Sequence, residues 1–251
     1  MADEKEKNEL DYQDLNEIIE NAKDFFRDEI APSHIANTKK LVKLKQFNLN
    51  PFLDKYKASF LTGNVDPISV AQALVYPRVL GTSINTIFGD KLQKFCSEVL
   101  EGFGSTTPGI DIEFIDKIDG RKKYCQIKAG PNTINKDDID TIKGHFQAVK
   151  NLARTNKLSI GFDDLIVGVF YGTPQDLSNH YKTINKEYPV IVGEEFWHRL
   201  TGDLEFYEKL TNAIGEVASE YDSSELINQV ITELAKEIAK KPGFEPPASD
   251  K

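Results

Sequence analysis

Apolar residues return every three or four positions in five stretches of this chain, the spacing that lines one side of an α-helix. Leu15, Ile18, Ile19, Ala22, Phe25 and Phe26 make the first, an amphipathic helix with an acidic outer side. Ile84, Phe88, Leu92, Phe95 and Val99 make the second, with Ser83 as its expected cap and "GFGSTTPG" at 102–109 ending it. The third carries Ile139, Ile142, Phe146, Val149 and Ala153, and the fourth Leu204, Tyr207, Leu210, Ile214 and Val217. Asp222 with Glu225 forms a capping box for the last, whose stripe is Leu226, Val230, Leu234 and Ile238. "EEFWHRL" at 194–200 reads as a further short helix, and the tail "KKPGFEPPASDK" as frayed. From Asn48 to Leu80, Pro51, Pro67 and Pro77 interrupt any period, so short helices and loops are expected there.

Elsewhere the pattern is that of strands. "DLIVGVFYG", 164–172, is continuously apolar and rich in β-branched and aromatic residues, a central strand buried on both sides. "YPVIVG" at 188–193 is a second, shorter one. In "PGIDIEFIDKIDGRKKYCQIKAG", 108–130, two alternating runs flank Asp119-Gly120, a strong hairpin signal because a type I′ turn needs positive φ at both central residues. That turn sets Ile118 opposite Arg121, and outward from it Phe114 faces Cys125, Ile112 faces Ile127 and Ile110 faces Ala129 on an apolar side. The other side then pairs Ile115 with Tyr124, Glu113 with Gln126 and Asp111 with Lys128. The order α-β-β-α-β-(α)-β describes one α/β domain with helical additions at both ends. Its expected divisions are a mainly helical 1–80, a core over 81–200, and C-terminal helices and tail over 201–251.

Charge changes the picture in one respect. The net charge of −9 argues against nucleic acid, since phosphate contact favours basic proteins. Yet residues 1–30 hold eleven acids against four bases, net −7, leaving −2 for the rest, and 31–60 carries six lysines against Asp54. A basic surface built from Lys39, Lys40, Lys43 and Lys45 is therefore compatible with DNA, although a solvated face is the plainer reading. Cys96 and Cys125 show neither CxxC nor His neighbours, so they read as small buried apolar residues. His34, His145, His180 and His198 have no metal-ligand spacing and read as surface or capping groups, and Trp197 as core. No run approaches the roughly 20 apolar residues that span a bilayer, and the polar amino terminus is no signal peptide, so a cytoplasmic protein is expected.

In the register above, Asp111, Glu113, Gln126 and Lys128 share a patch a few ångströms wide. A half-exposed hairpin with cross-strand ion pairs would explain it without any function. Two features favour chemistry: the patch opens beside "PG" and "AGPN", where turns leave room for a ligand, and the buried run at 164–172 makes this sheet central. Such a patch suits metal-assisted phosphodiester hydrolysis, with Asp111 anchoring Mg²⁺ and the Lys128 ammonium beside it.

The residues then resemble a known family. Pro108-Gly109-Ile110-Asp111 followed by Gln126-Ile127-Lys128 resembles the spaced motif of the PD-(D/E)XK nuclease superfamily, set in that superfamily's core order of elements. "QIKAGPNTIN" at 126–135 resembles a segment of type II restriction endonucleases. "GTSINTIFGDKLQKF" and "GEEFWHRLTG" are similar to stretches in those that cut interrupted GGNCC-type palindromes. The resemblance covers about residues 60–200. It implies a PD-(D/E)XK core, a mixed central sheet flanked by helices, and Mg²⁺-dependent cutting of double-stranded DNA at a short palindrome by a homodimer. Asp111 is implied as metal ligand, Lys128 as catalytic lysine and the Ile127 carbonyl as a further ligand. Gln126 stands where the family has an acid, so it brings an oxygen without charge, and Glu113 is the candidate to supply the missing carboxylate. Of the upstream helical acids Asp90 and Glu98, the latter fits better. Asn132 and Asn135, in the loop leaving the catalytic strand, are expected to approach DNA. A structure-directed repair or recombination nuclease, or a non-catalytic DNA- or protein-binding module whose site has decayed at Gln126, are the alternatives.

Overall fold

The computed structural model describes residues 15–157 and 159–244. The start of the acidic N-terminal segment and most of the frayed tail expected from sequence lie outside the described residues. The helices are α1 over residues 15–25, α2 (Ala31–Lys40), α3 (Asp54–Thr62), α4 (Pro67–Pro77), α5 (Ile84–Glu98), α6 (Lys136–Thr155), α7 (Asn179–Ile184), α8 (Glu194–Thr201), α9 (Phe206–Ala218) and α10 (Ser224–Ile238). The strands are β1 (Ile112–Ile115), β2 (Lys122–Lys128), β3 (Leu165–Val169) and β4 (Val190–Val192).

These elements form two compact units. One comprises the described residues up to Phe26 together with Gly89–Val217; the other comprises Arg27–Phe88 and the described residues from Ala218 onward. The first holds a mixed four-stranded sheet in the order β1-β2-β3-β4, antiparallel between β1 and β2 and parallel thereafter. This is an α/β arrangement with helical additions. Every residue of β3 is buried, as its unbroken apolar run predicts for a central parallel strand. Against one side of the sheet lie Ile142, Phe146 and Val149 of α6 with Tyr181 and Ile184 of α7. A chain of aromatic contacts forms a second cluster: Phe25–Phe95 at 5.4 Å, Phe95–Phe170 at 5.1 Å, Phe170–Trp197 at 4.9 Å and Trp197–Phe206 at 5.5 Å. Trp197 is core, as expected, and its Nε1 donates to Phe170 O at 3.0 Å.

The other unit is helical. Val70, Ala71 and Val75 of α4 pack with Val230, Ile231, Leu234 and Ile238 of α10. The stretch 48–80 forms short helices and loops, as its prolines predict: α3 and α4 are joined by the loop 63–66. Pro67 sits in the first turn of α4, where its missing N–H costs nothing, and the Asp66 side chain caps that turn from Ser69 N–H at 2.9 Å. Pro77 is absorbed by a π-helical turn, Arg78–Ser83, which leads straight into α5, so Ser83 is not a cap. At α10 the N-cap position belongs to Ser223, while Asp222 accepts from Ser224 N–H at 2.9 Å instead of forming the expected box.

The hairpin register also differs from expectation, by two residues: Ile112 faces Cys125, Glu113 faces Tyr124, Phe114 faces Lys123 and Ile115 faces Lys122. Of the two turn residues only Gly120 has positive φ, at 70°, so the type I′ geometry is not formed. A longer loop closes instead through Asp116 N–H to Arg121 O at 2.9 Å. Charge stabilises it. Asp116 is fully buried and bound by Arg199 at 2.8 Å, while Lys123, 1% exposed, reaches Asp119 at 2.6 Å and lies 3.7 Å from Asp164. A shift of two preserves which residues share a side of the sheet but changes every cross-strand partner.

Candidate active site

Just ahead of β1 the ladder changes character. Asp111 N–H still donates to Cys125 O at 3.0 Å, but the next bond to β2 is made by the side chain, whose Oδ2 accepts Ile127 N–H at 2.7 Å. The carboxylate is thereby fixed against the second half of β2. Lys128 O accepts from Phe170 N–H at 3.0 Å, on the β3 side. Consecutive residues of a strand turn their C=O groups to opposite neighbours, so the Ile127 carbonyl points to the β1 side, as its N–H does, beside Asp111.

Gln126 lies between them, 5% exposed. Its Nε2 donates to Gly109 O and stands 2.6 Å from His145 Nδ1. Gly109 has φ of +80°, and a Cβ there would come within 2.5 Å of the His145 ring, so glycine is what allows this approach. With the amide nitrogen held twice, Gln126 Oε1 is left buried without a hydrogen-bond partner among the described residues. An orphaned buried acceptor costs about 1–3 kcal/mol, which a ligand would recover.

Asp111, Gln126, Ile127 and Lys128 line one cleft of about 500 Å³ with Gly109, Thr133 and His145, and with Gly89, Leu92, Gln93 and Cys96 of α5. Among the described residues Asp111 is the only acid in that lining. Burial pushes its carboxyl above the usual range, and the Ile127 N–H and the Lys128 charge pull it back only in part. Burial, with a smaller contribution from Asp111, also raises the Cys96 thiol to about 12, which leaves it inert as a nucleophile. Among the described residues no three His, Cys, Asp or Glu side chains gather as a metal cluster. The hard-oxygen set available to a divalent ion is instead the Asp111 carboxylate, the orphaned Gln126 Oε1 and the Ile127 carbonyl, with water and phosphate completing it. An uncommitted buried oxygen beside a carboxylate fits such an ion.

Other residues singled out from sequence lie elsewhere. Glu113 does not face Gln126 and does not line the cleft. Its Oε1 accepts from Ser105 Oγ at 2.6 Å and Thr107 Oγ1 at 2.7 Å, and its Oε2 pairs with Lys122 at 2.7 Å. Burial pushes this carboxyl up, but those bonds outweigh it and hold the group below its usual range. Asn135 is the N-cap of α6, accepting from Asp137 N–H at 2.7 Å and Asp138 N–H at 3.2 Å, while Asn132 is exposed on the preceding loop. Asp90 and Glu98 are both exposed, the latter 3.4 Å from Lys94, and the part of α5 in the cleft lining offers Gln93 instead. His145 is the residue the sequence reading missed. Its position three residues after Ile142 and next to Phe146 put it at the edge of the buried stripe, but its partners are an amide and a glycine, which no histidine spacing reveals.

No curated protein matches the chain. A family model described as Type II restriction endonuclease EcoO109I matches residues 13–222, which include all four strands and every residue of the cleft. A match over most of the chain, with a pinned carboxylate, a buried amide oxygen and a lysine converging inside it, establishes the kinship: the protein belongs to the EcoO109I family of type II restriction endonucleases, which are site-specific deoxyribonucleases.

Proposed function

We propose that this protein is a cytoplasmic, Mg²⁺-dependent homodimer that cleaves both strands of DNA at a short, GGNCC-like palindrome, using a PD-(D/E)XK core whose acidic motif position is filled by Gln126. One observation carries the reading: among the described residues Gln126 Oε1 is buried and unpartnered, in a cleft that also holds Asp111 and Lys128.

When bound, Mg²⁺ supplies a Lewis acid for the scissile phosphate and lowers the pKa of an attacking water. Asp111 provides the charged ligand, with Gln126 Oε1 and the Ile127 carbonyl as neutral ones. Because Gln126 brings no charge, ion affinity falls below that of a two-carboxylate site. The backbone bond from Ile127 holds Asp111 in place before any ligand arrives, so little ordering remains to be done on binding. The Lys128 ammonium orients the incoming hydroxide and stabilises charge building on phosphorus. His145 and Gly109 O together hold the Gln126 nitrogen, which leaves the oxygen uncommitted and open to a ligand. Asn132 and Asn135 lie on the loop that follows this strand, and Asn132 is free to contact DNA, whereas Asn135 would act there through the cap it makes.

A symmetric site presents the same half-site twice, so a two-fold pair of chains brings one cleft to each strand. The test is incubation with a long unmethylated DNA of known sequence in Mg²⁺, with an EDTA control. Discrete EDTA-sensitive fragments whose ends map to one palindrome are expected. A smear would favour a structure-directed nuclease, and uncut DNA in both Mg²⁺ and Mn²⁺ would favour a binding module.

A further inference from the structure

The strand that carries Gln126 and Lys128 is held unevenly. Its pairing with β1 ends where Ile112 faces Cys125, so Gln126, Ile127 and Lys128 run on past that ladder, and there the Ile127 N–H is met by the Asp111 side chain rather than by a strand. On the other side, pairing with β3 stops at Lys128 opposite Val169. A strand's last residue frays unless the chain beyond it is tied down, because its backbone bonds are the first to open. Two residues beyond Lys128 it is tied. Gly130 O accepts from Tyr181 Oη at 3.0 Å and from Thr133 Oγ1 at 2.9 Å, the two hydroxyl oxygens lie 3.3 Å apart, and Gly130 N–H donates back to Thr133 Oγ1 at 3.3 Å. Next along, Pro131 O accepts from Ser178 N–H at 3.0 Å. The half-exposed Tyr171 closes over the same point, so near that a Cβ on Gly130 would come within 2.6 Å of its ring.

We propose that Tyr181 and Thr133 are positioning residues for DNA cleavage: their hydroxyls, joined at the Gly130 carbonyl, fix the direction in which the chain leaves β2 and so hold Lys128 in its place in the cleft. The proposal rests on the reading of that cleft as a nuclease site. The Tyr181 hydroxyl is not there to fill space. Its ring belongs to the buried cluster that includes Ile134, Ile142 and Val169, and a phenylalanine ring would fill the same volume. What the phenol adds is a bond to a loop 51 positions away. Burial lifts its pKa to about 12, so at neutral pH it keeps the proton that this bond needs. Thr133 is the link to the reaction. It lines the cleft with Lys128 and Ala129, but its Oγ1 is already engaged by Gly130 and Tyr181, so it serves through its placement and not as a ligand. A misplacement of about 1 Å can cost about 10²-fold in rate, so one bond lost from this clasp, which loosens Lys128 without removing it, acts on the chemical step before it acts on DNA affinity.

Single-turnover cleavage in Mg²⁺ and DNA binding in EDTA decide it, measured on the full chain with one duplex carrying the site that wild type cuts. Tyr181→Phe is expected to cleave about tenfold more slowly, which is about 1.4 kcal/mol, with a Kd for DNA within about twofold of wild type. Thr133→Val should match it, and Thr133→Ser, which keeps the hydroxyl, should stay within about threefold of wild type. Because the two hydroxyls act as one unit, the double variant Tyr181→Phe/Thr133→Val should be no slower than the worse single one. Independently of DNA, hydrogen exchange over residues 126–135 should speed up about tenfold in Tyr181→Phe while that of α10 stays unchanged. A Tyr181→Phe rate within about twofold of wild type would overturn the proposal. So would a rate and an affinity lost in equal proportion, or a Thr133→Ser variant as slow as Thr133→Val, since a contact that serves only the fold gives both. A wild type that cuts no DNA would sink the nuclease reading and the proposal with it, whereas unchanged exchange in Tyr181→Phe would sink the proposal alone.

Discussion

Replacing Asp111 by Asn should separate stability from activity in opposite directions. Asn keeps the shape and an acceptor for Ile127 N–H, so the change removes charge and little else. A hydrogen bond to a charged acceptor is worth about 1.5–3 kcal/mol and a neutral one about 0.5–1.5, so on the bond alone the variant should lose about 1 kcal/mol. Burial acts the other way and is the larger effect, because it leaves the Asp111 carboxyl with a raised pKa in spite of that bond. The sign follows from linkage: an acid whose folded pKa lies above its unfolded value of about 3.8 costs stability once ionised, fully above the folded pKa, and the cost disappears as pH falls through that value toward 3.8. At neutral pH the metal-free Asp111→Asn protein should therefore melt at or above the wild-type temperature. A divalent ion reverses the order. At a hundred times its Kd an ion stabilises wild type by about 2.7 kcal/mol, which for a chain of this size is roughly 5–11 °C. Asp111→Asn should lose that shift together with all cleavage. The assay is thermal melting with EDTA, Mg²⁺ or Ca²⁺, beside a plasmid-cutting gel. A variant that melts well below wild type in EDTA would mean that the carboxylate serves the fold. One that keeps the metal shift would mean that the ion binds elsewhere.

Three further outcomes follow from the same geometry. Lys128→Ala should reduce single-turnover cleavage by about 10²–10³ while leaving DNA affinity nearly unchanged in a filter-binding assay, since a preorganised charge acts mainly on the transition state. His145→Ala frees one of the two holds on the Gln126 nitrogen; cleavage should fall about tenfold, matching one lost hydrogen bond of about 1.4 kcal/mol, and the Mg²⁺ concentration needed for half-maximal rate should rise. Lys123→Met leaves Asp119, Asp116 and Asp164 without the buried ammonium between them, which should cost about 3–5 kcal/mol and lower the melting temperature by roughly 6–20 °C while the folded fraction still cuts DNA.

The linear pattern was sufficient for what depends on neighbours in the chain. Periodicity located α5, α6, α9 and α10, and the unbroken apolar run of 165–169 predicted a strand buried on both sides, because both signals come from how each residue's own backbone repeats. The motif around Asp111 and Gln126-Ile127-Lys128 was legible for the same reason: its spacing is short, and strand alternation keeps it on one side under the two-residue shift of register. What required the tertiary structure was every partner chosen across space. The hairpin shifted by two residues because Arg199, 78 positions beyond Gly120's neighbour Arg121, binds the buried Asp116 and helps draw the turn into a longer loop. That shift moved Glu113 to Tyr124 and committed it to Ser105, Thr107 and Lys122. His145 entered the cleft only because α6 crosses the sheet beside Gly109. Local conformation is set by a residue's own sterics and its near neighbours; register, charge pairing and the choice of which side to leave in water are set by whichever distant groups minimise buried, unpaired polarity, and one sequence read in order does not contain that comparison.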